Sequence, residues 1–206
     1  KNGVHLFFVL SGFLITFLLL KEKEKYKTIY FKKFFLRRIF RIWPLYYFIV
    51  LIGFVCIPFL AHNFPIFEKV PYYYELIANS NNYTFQVLFL YLLILPNIAL
   101  SYDFIVPGCS QAWSIGVEEQ FYIFFPILLI VIWKFQNKRI LPIITLIAIL
   151  SLIGAEIGSA LKPGENFYFT LTRSWELMIG AITALINKQV PKIILFTMCI
   201  DYVVKI

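Results

Sequence analysis

The feature that most constrains this chain is a series of long uncharged apolar runs, beginning with VHLFFVLSGFLITFLLL at Val4 to Leu20. At about 1.5 Å of rise per residue, seventeen helical residues with interfacial flanks nearly cross a hydrocarbon layer about 30 Å thick. Further runs follow at Ile42 to Ala61, Tyr83 to Tyr102, Val117 to Trp133, Ile140 to Ala155, Ser174 to Asn187 and Val190 to Ile200, the last two weaker. Composition agrees: 61% of the 206 residues are hydrophobic and only 15% are charged. A water-soluble core cannot absorb that excess, so it must face lipid. The runs lack strand-like alternation, and helices satisfy their own backbone in lipid. The sequence therefore predicts an all-α, polytopic transmembrane bundle of about six to seven helices, forming a single domain over residues 1–206. Both ends read as cuts, and the first run reads as a membrane helix rather than a signal peptide, because a basic stretch follows it.

Charge placement narrows the partners. Nine of the nineteen Lys and Arg residues lie between Lys21 and Arg41. A net charge of +8 concentrated in this way suits a cytoplasmic loop on a lipid surface, not nucleic acid. Strict alternation of the runs then carries Lys134, Lys138 and Arg139 to the outside, where they are disfavoured. A re-entrant Tyr83 to Tyr102 would return them inside. Alternation is the default expectation. The three cysteines are scattered and there are only two histidines, so no disulfide framework or metal site is expected.

Three clusters carry chemistry-bearing residues. Arg37, Arg38 and Arg41 precede Trp43-Pro44-Leu45-Tyr46, with Arg38 and Arg41 on one helical face. Guanidinium forks bind phosphate in bidentate fashion, so this cluster is either a seat for a phosphorylated donor or a set of lipid-headgroup anchors. Trp113 and Ser114 lead into Val117-Glu118-Glu119-Gln120-Phe121-Tyr122. Two adjacent carboxylates either lie in the interface near a helix N-terminus or line a polar cavity. Being about 100° apart on a helix, at most one of them is expected to line a site. In Thr172-Arg173-Ser174-Trp175-Glu176, Arg173 and Glu176 are three apart and are expected to pair. His5 reads as a wetted interfacial residue.

These motifs resemble the acyltransferase-3 family of bacterial membrane O-acetyltransferases acting on surface glycans. Gly3-Val4-His5-Leu6-Phe7-Phe8-Val9-Leu10-Ser11-Gly12-Phe13-Leu14-Ile15 is similar to its G-V-x-x-F-F-V-L-S-G-F-L-I signature. Arg37, Arg38, Arg41, Ile42, Pro44 and Tyr46 match R-R-x-x-R-I-x-P-x-Y. Trp113, Ser114, Val117, Glu118, Glu119, Gln120, Phe121 and Tyr122 match W-S-x-x-V-E-E-Q-F-Y, and Arg173, Trp175, Glu176 and Gly180 resemble R-x-W-E-x-x-x-G. The resemblance implies a roughly ten-helix domain in the bacterial inner membrane. It implies an acyl-CoA donor (acetyl-CoA by default, with no bound cofactor) and a hydroxyl acceptor on a cell-surface polysaccharide or lipid-linked sugar. Arg37, Arg38 and Arg41 would bind the donor, with Glu118 or Glu119 supporting a catalytic histidine expected before Gly3. Trp113, Ser114, Arg173 and Glu176 would support the site. A transporter or flippase of a glycan intermediate is the alternative, and it predicts internal repeats that the sequence does not show.

Overall fold

The computed structural model describes residues 2–63, 84–136, 139–161 and 166–186. Among these the chain is helical and carries no strand. Helix α1 (Asn2–Tyr26) is followed by α2 (Phe31–Leu51), which runs through a π-helical turn (Ile52–Cys56) into α3 (Ile57–Asn63). Pro58, which has no N–H to donate to the Phe54 carbonyl, is the second residue after that turn. Then come the short α4 (Thr84–Leu92) and α5 (Pro96–Ser101). Three longer helices complete the described chain: α6 (Trp113–Gln136), α7 (Ile140–Leu161) and α8 (Thr170–Ile186). Among the described residues four helices are long and apolar enough to cross a membrane: α1, α2 continued into α3, α6 and α7. Their outward side chains are greasy, with Phe40 76% exposed and Phe124 69% exposed, as lipid-facing surface requires. The run at Val190 to Ile200 and most of the loop from Ala61 to Asn82 lie outside the described residues.

The structure departs from the sequence expectation in three places. The basic stretch is mostly helix rather than loop, since α1 runs to Tyr26 and α2 starts at Phe31. Lysine and arginine are good helix formers, and their stems can lie along apolar surface while their heads stay wet. Pro44, near the start of the apolar run that begins at Ile42, consequently sits well inside α2. The third departure is the Tyr83 to Tyr102 run, which is broken. Helix α4 ends at Leu92, Ile94 turns left-handed at φ 59°, and Pro96 opens α5 as its first residue. Proline is pre-organised for a helix start but disfavours helical geometry in the residue before it, so one continuous span cannot form across this point.

This break resolves the orientation. Lys23 Nζ stands 3.8 Å over the ring of Trp133, which places the C-terminal ends of α1 and α6 side by side. Lys21, Lys23, Lys27, Trp133, Ile140 and Leu185 line one cleft of about 490 Å³ at that end. Helices α1, α6 and α8 therefore run parallel, and α7 runs against them. Strict alternation is overturned, and Lys134 and Arg139 join the basic end, as the positive-inside rule prefers.

Among the described residues three apolar clusters form the core, the smallest being Phe13 and Phe17 of α1 against Ala184 of α8. The largest joins α1, α6, α7 and α8 through Phe8, Ile15, Phe121, Phe125, Ile144 and Leu177. The second joins α2, α4, α5 and the approach to α6 through Tyr46, Val50, Tyr91, Ala99 and Cys109. Helix α8 lies almost backbone to backbone on α1. A Cβ added at Gly12 would stand 1.9 Å from the Leu177 carbonyl oxygen, and one at Gly180 would stand 1.9 Å from that of Val9. Glycine at both positions is what lets two membrane helices come this close.

Candidate functional site

A polar centre lies where the two larger apolar clusters meet. From α2, Arg38 turns inward and is only 8% exposed. Its guanidinium carbon lies 5.4 Å from the centroid of the Tyr122 ring and 5.7 Å from that of Phe34. It acts electrostatically on both Glu118 and Glu119. Tyr122 Oη donates to Glu118 Oε2 at 3.1 Å, one helical turn away on α6. Ser11 of α1 adjoins Glu118 and Tyr122, and Trp43 of α2 adjoins Glu119. Both carboxylates are buried, which corrects the expectation that only one would face the interior. Their directions do diverge on α6, but α1 receives one and α2 the other.

The centre is incompletely satisfied. Glu118 Oε1, both Glu119 carboxylate oxygens and Trp43 Nε1 are buried and make no close hydrogen bond, although the Trp43 side chain faces Glu119 and Ser11 faces Glu118. Buried polar atoms are nearly always paired, so a concentration of orphans marks a place built to receive another group. The depth of the centre follows from α6: Tyr122 lies eleven residues before Trp133, or about 16 Å from the basic end. That is close to the middle of a hydrocarbon layer about 30 Å thick.

The three arginines separate. Arg37 is 56% exposed and reaches Glu22 on α1 at 3.3 Å, so it stays outside the centre. Arg41 is exposed on α2. Arg38 packs beside the carboxylates. Trp113 and Ser114 are half-buried at the start of α6. The Trp113 ring packs edge-on against Phe8 at 5.8 Å and lies 5.3 Å from both Phe167 and Tyr168.

Arg173 and Glu176 do pair, with Arg173 Nη1 donating to Glu176 Oε1 at 2.8 Å. The same carboxylate oxygen lies 3.0 Å from His5 Nδ1, a contact that sequence reasoning missed. Another missed group supports the broken segment. Asn97, at the start of α5, accepts from Gln120 Nε2 at 3.0 Å and donates to the Tyr168 carbonyl and Thr170 Oγ1, each at 3.2 Å. Thr170 in turn donates to Gln120 Oε1. A Cβ at Gly116 would lie 2.7 Å from Asn97 Oδ1, so the glycine of Trp113-Ser-Ile-Gly116 makes room for this network. Pro96 was the available signal for it, since a proline there forces a new helix start and brings Asn97 onto α6.

These features define a multi-pass helical membrane protein with a buried arginine–carboxylate centre near mid-depth. The chain belongs to the acyltransferase-3 family, whose sequence profile, described as an acyltransferase domain, matches residues 1–200. It is 29% identical over 192 residues to the peptidoglycan O-acetyltransferase OatA of Listeria monocytogenes, an alignment covering 89% of this chain and 29% of that protein. With the putative peptidoglycan O-acetyltransferase YrhL of Bacillus subtilis it shares 31% identity over 193 residues, covering 89% of this chain and 28% of that protein. An uncharacterized protein of Haemophilus influenzae is 30% identical over 197 residues, covering 91% of this chain and 76% of that protein. The chain thus spans less than a third of the length of the named acetyltransferases it resembles. No solved structure matches it.

Proposed function

We propose that the complete protein transfers an acetyl group from acetyl-CoA to a hydroxyl of a cell-wall glycan, from a site in the bacterial inner membrane. The observation that carries this reading is the unsatisfied centre of Arg38, Glu118 and Glu119, set in a chain of the acyltransferase-3 family. The printed names of the Listeria and Bacillus relatives support peptidoglycan as the acceptor.

Charge balance assigns the arginines different parts. Arg38 already faces two carboxylates, so a phosphate would have to displace them to bind it. Its part is to hold Glu118 and Glu119, which in turn orient the reacting groups, as a carboxylate orients an imidazole in hydrolytic triads. Arg41, exposed on the same helix, takes the donor's phosphates. Arg37 pairs with Glu22 on the exposed surface and lies outside the centre.

The test uses membranes containing the full-length protein and acetyl-CoA labelled in its acetyl group, with label followed into the glycan. Wild type should transfer label. Arg41→Ala should do so with a raised KM for the donor at an unchanged level of folded protein. If Arg41→Ala loses activity and folded protein equally, its donor role is refuted. Absence of transfer from well-folded wild type would favour the transporter alternative.

A further inference from the structure

At the basic end of the bundle, opposite the outer polar group of His5, Arg173 and Glu176, stands positive charge that the Arg38 centre does not use. Lys21, Lys23 and Lys27 line the cleft of about 490 Å³ against a single carboxylate, Glu24. Among the described residues none of the three lysines makes an ion pair. Two of them are held by the cleft's own aromatic walls. Lys23 Nζ stands 3.8 Å from the centroid of the Trp133 ring, and Lys21 Nζ stands 4.7 Å from that of Phe17. A ring's quadrupole holds a cation in place but carries no charge to cancel it. Backbone geometry places the third. Lys27 leaves α1 in the left-handed region at φ 58°, with its N–H donating to the Lys23 carbonyl at 2.8 Å. Glycine is the usual residue at such a helix end, because a Cβ is strained in this conformation. A lysine in that position adds an ammonium to the cleft instead.

The remaining wall is apolar, with Leu20 of α1, Ile140 of α7 and Leu185 of α8 facing the same space. An occupant must therefore bring an anion to the lysines and hydrocarbon to the leucines, at the level of the inner membrane surface. The cleft does not open onto the Arg38 centre. Along α1, Ser11, Ile15, Leu19 and Lys23 follow one another on one face at four-residue spacing, and Ile15 and Leu19 are fully buried. On α6, the buried Phe125 and Leu129 close the same interval between Tyr122 and Trp133. A thioester donor with its phosphates at these lysines would have to pass its arm through this packed layer. A lipid, entering from the side with its chains left in the bilayer, would not.

We infer that this cleft binds the headgroup of an anionic phospholipid of the inner leaflet, with the phosphate at Lys21, Lys23 and Lys27 and the acyl chains along the apolar wall. The charge is complementary, since three ammonium groups face one carboxylate. Because α1, α6, α7 and α8 all contribute to the wall, a bound lipid ties the ends of four helices together and stabilises the bundle. Lipid binding here is independent of whether the protein transfers acyl groups.

The experiment melts the full-length protein in neutral detergent with saturating phosphatidylglycerol, phosphatidylcholine or acetyl-CoA. Phosphatidylglycerol should raise the melting temperature by about 5 °C or more above phosphatidylcholine, and the gain should shrink as salt is raised. Replacing Lys21, Lys23 and Lys27 together by glutamine should abolish the gain. Lys21→Gln with Lys27→Gln, which spares the contact between Lys23 and Trp133, should lower it by about half and serves if the triple variant does not fold. Lys32→Gln with Lys33→Gln removes two exposed charges at the start of α2, outside the cleft, and should leave the gain intact. An equal gain from phosphatidylcholine, or the same loss in the α2 variant, would overturn the site in favour of general attraction to a membrane surface. A lysine-dependent gain from acetyl-CoA that phosphatidylglycerol competes away would overturn it in favour of the donor.

Discussion

Replacing Gly180 by alanine tests whether the contact between α1 and α8 sets the geometry of the outer polar group. The added Cβ would stand 1.9 Å from the Val9 carbonyl oxygen, where ordinary contact begins at 3.4 Å. The difference, 3.4 − 1.9 = 1.5 Å, must come from separation of the helices, because the obstructing atom is backbone rather than a movable side chain. A separation of that size, felt four residues away, would stretch the 3.0 Å contact between His5 and Glu176 beyond hydrogen-bond range. Two energies oppose each other. Alanine gains about 1 kcal/mol of helix propensity over glycine, whereas overpacking a tight site costs about 1–3 kcal/mol. The steric side should win here because 1.9 Å is far inside contact, leaving a net loss of about 1–2 kcal/mol. At roughly 2–4 °C per kcal/mol for a chain of this size, the melting temperature in detergent should fall by about 2–8 °C. Gly154 provides the internal control, since a Cβ there meets nothing within 4 Å and Gly154→Ala should be neutral or slightly stabilising. Gly180→Ala melting at or above Gly154→Ala would refute the argument that these helices touch through glycine.

Arg38→Ala strips the buried carboxylates of their counter-charge and should destabilise the protein by about 3–5 kcal/mol, measured as loss of folded protein in detergent. Arg37→Ala, at an exposed pair, should stay within about 1 kcal/mol of wild type by the same measurement, so comparable losses in the two would contradict the separation of the arginines. Gln120→Ala leaves Asn97 Oδ1 without its donor and the Thr170 hydroxyl without its acceptor, and should lower stability by about 1–3 kcal/mol, whereas an unchanged melting curve would show that the network contributes nothing.

Much of this architecture was legible in the sequence, for identifiable reasons. Hydropathy marked α1, α6 and α7, because residues facing lipid and residues facing the core are both apolar. Arg173 and Glu176 were legible because a three-residue spacing puts them on one helical face, and they do meet. The partnership of His5 with Glu176 was not legible: 171 residues separate them, and only the packing at Gly12 and Gly180 brings them together. The burial of both Glu118 and Glu119 was hidden for a similar reason. Helical geometry says that the two diverge, but it does not say that neighbours wait on both sides. The broken segment was half legible. Pro96 announces a helix start, yet a window averaging hydropathy over about twenty residues smooths that punctuation away.

That break also determines how the chain must be threaded into the bilayer. A hydrophobic stretch that enters and leaves by the same leaflet adds no crossing, so counting runs overstates the number of passes by one. Every segment after Ser101 then has the opposite sidedness from a simple count. Reporter fusions placed beyond α5 would read inverted to anyone who assumed that each greasy stretch is a passage, while fusions before it would read correctly.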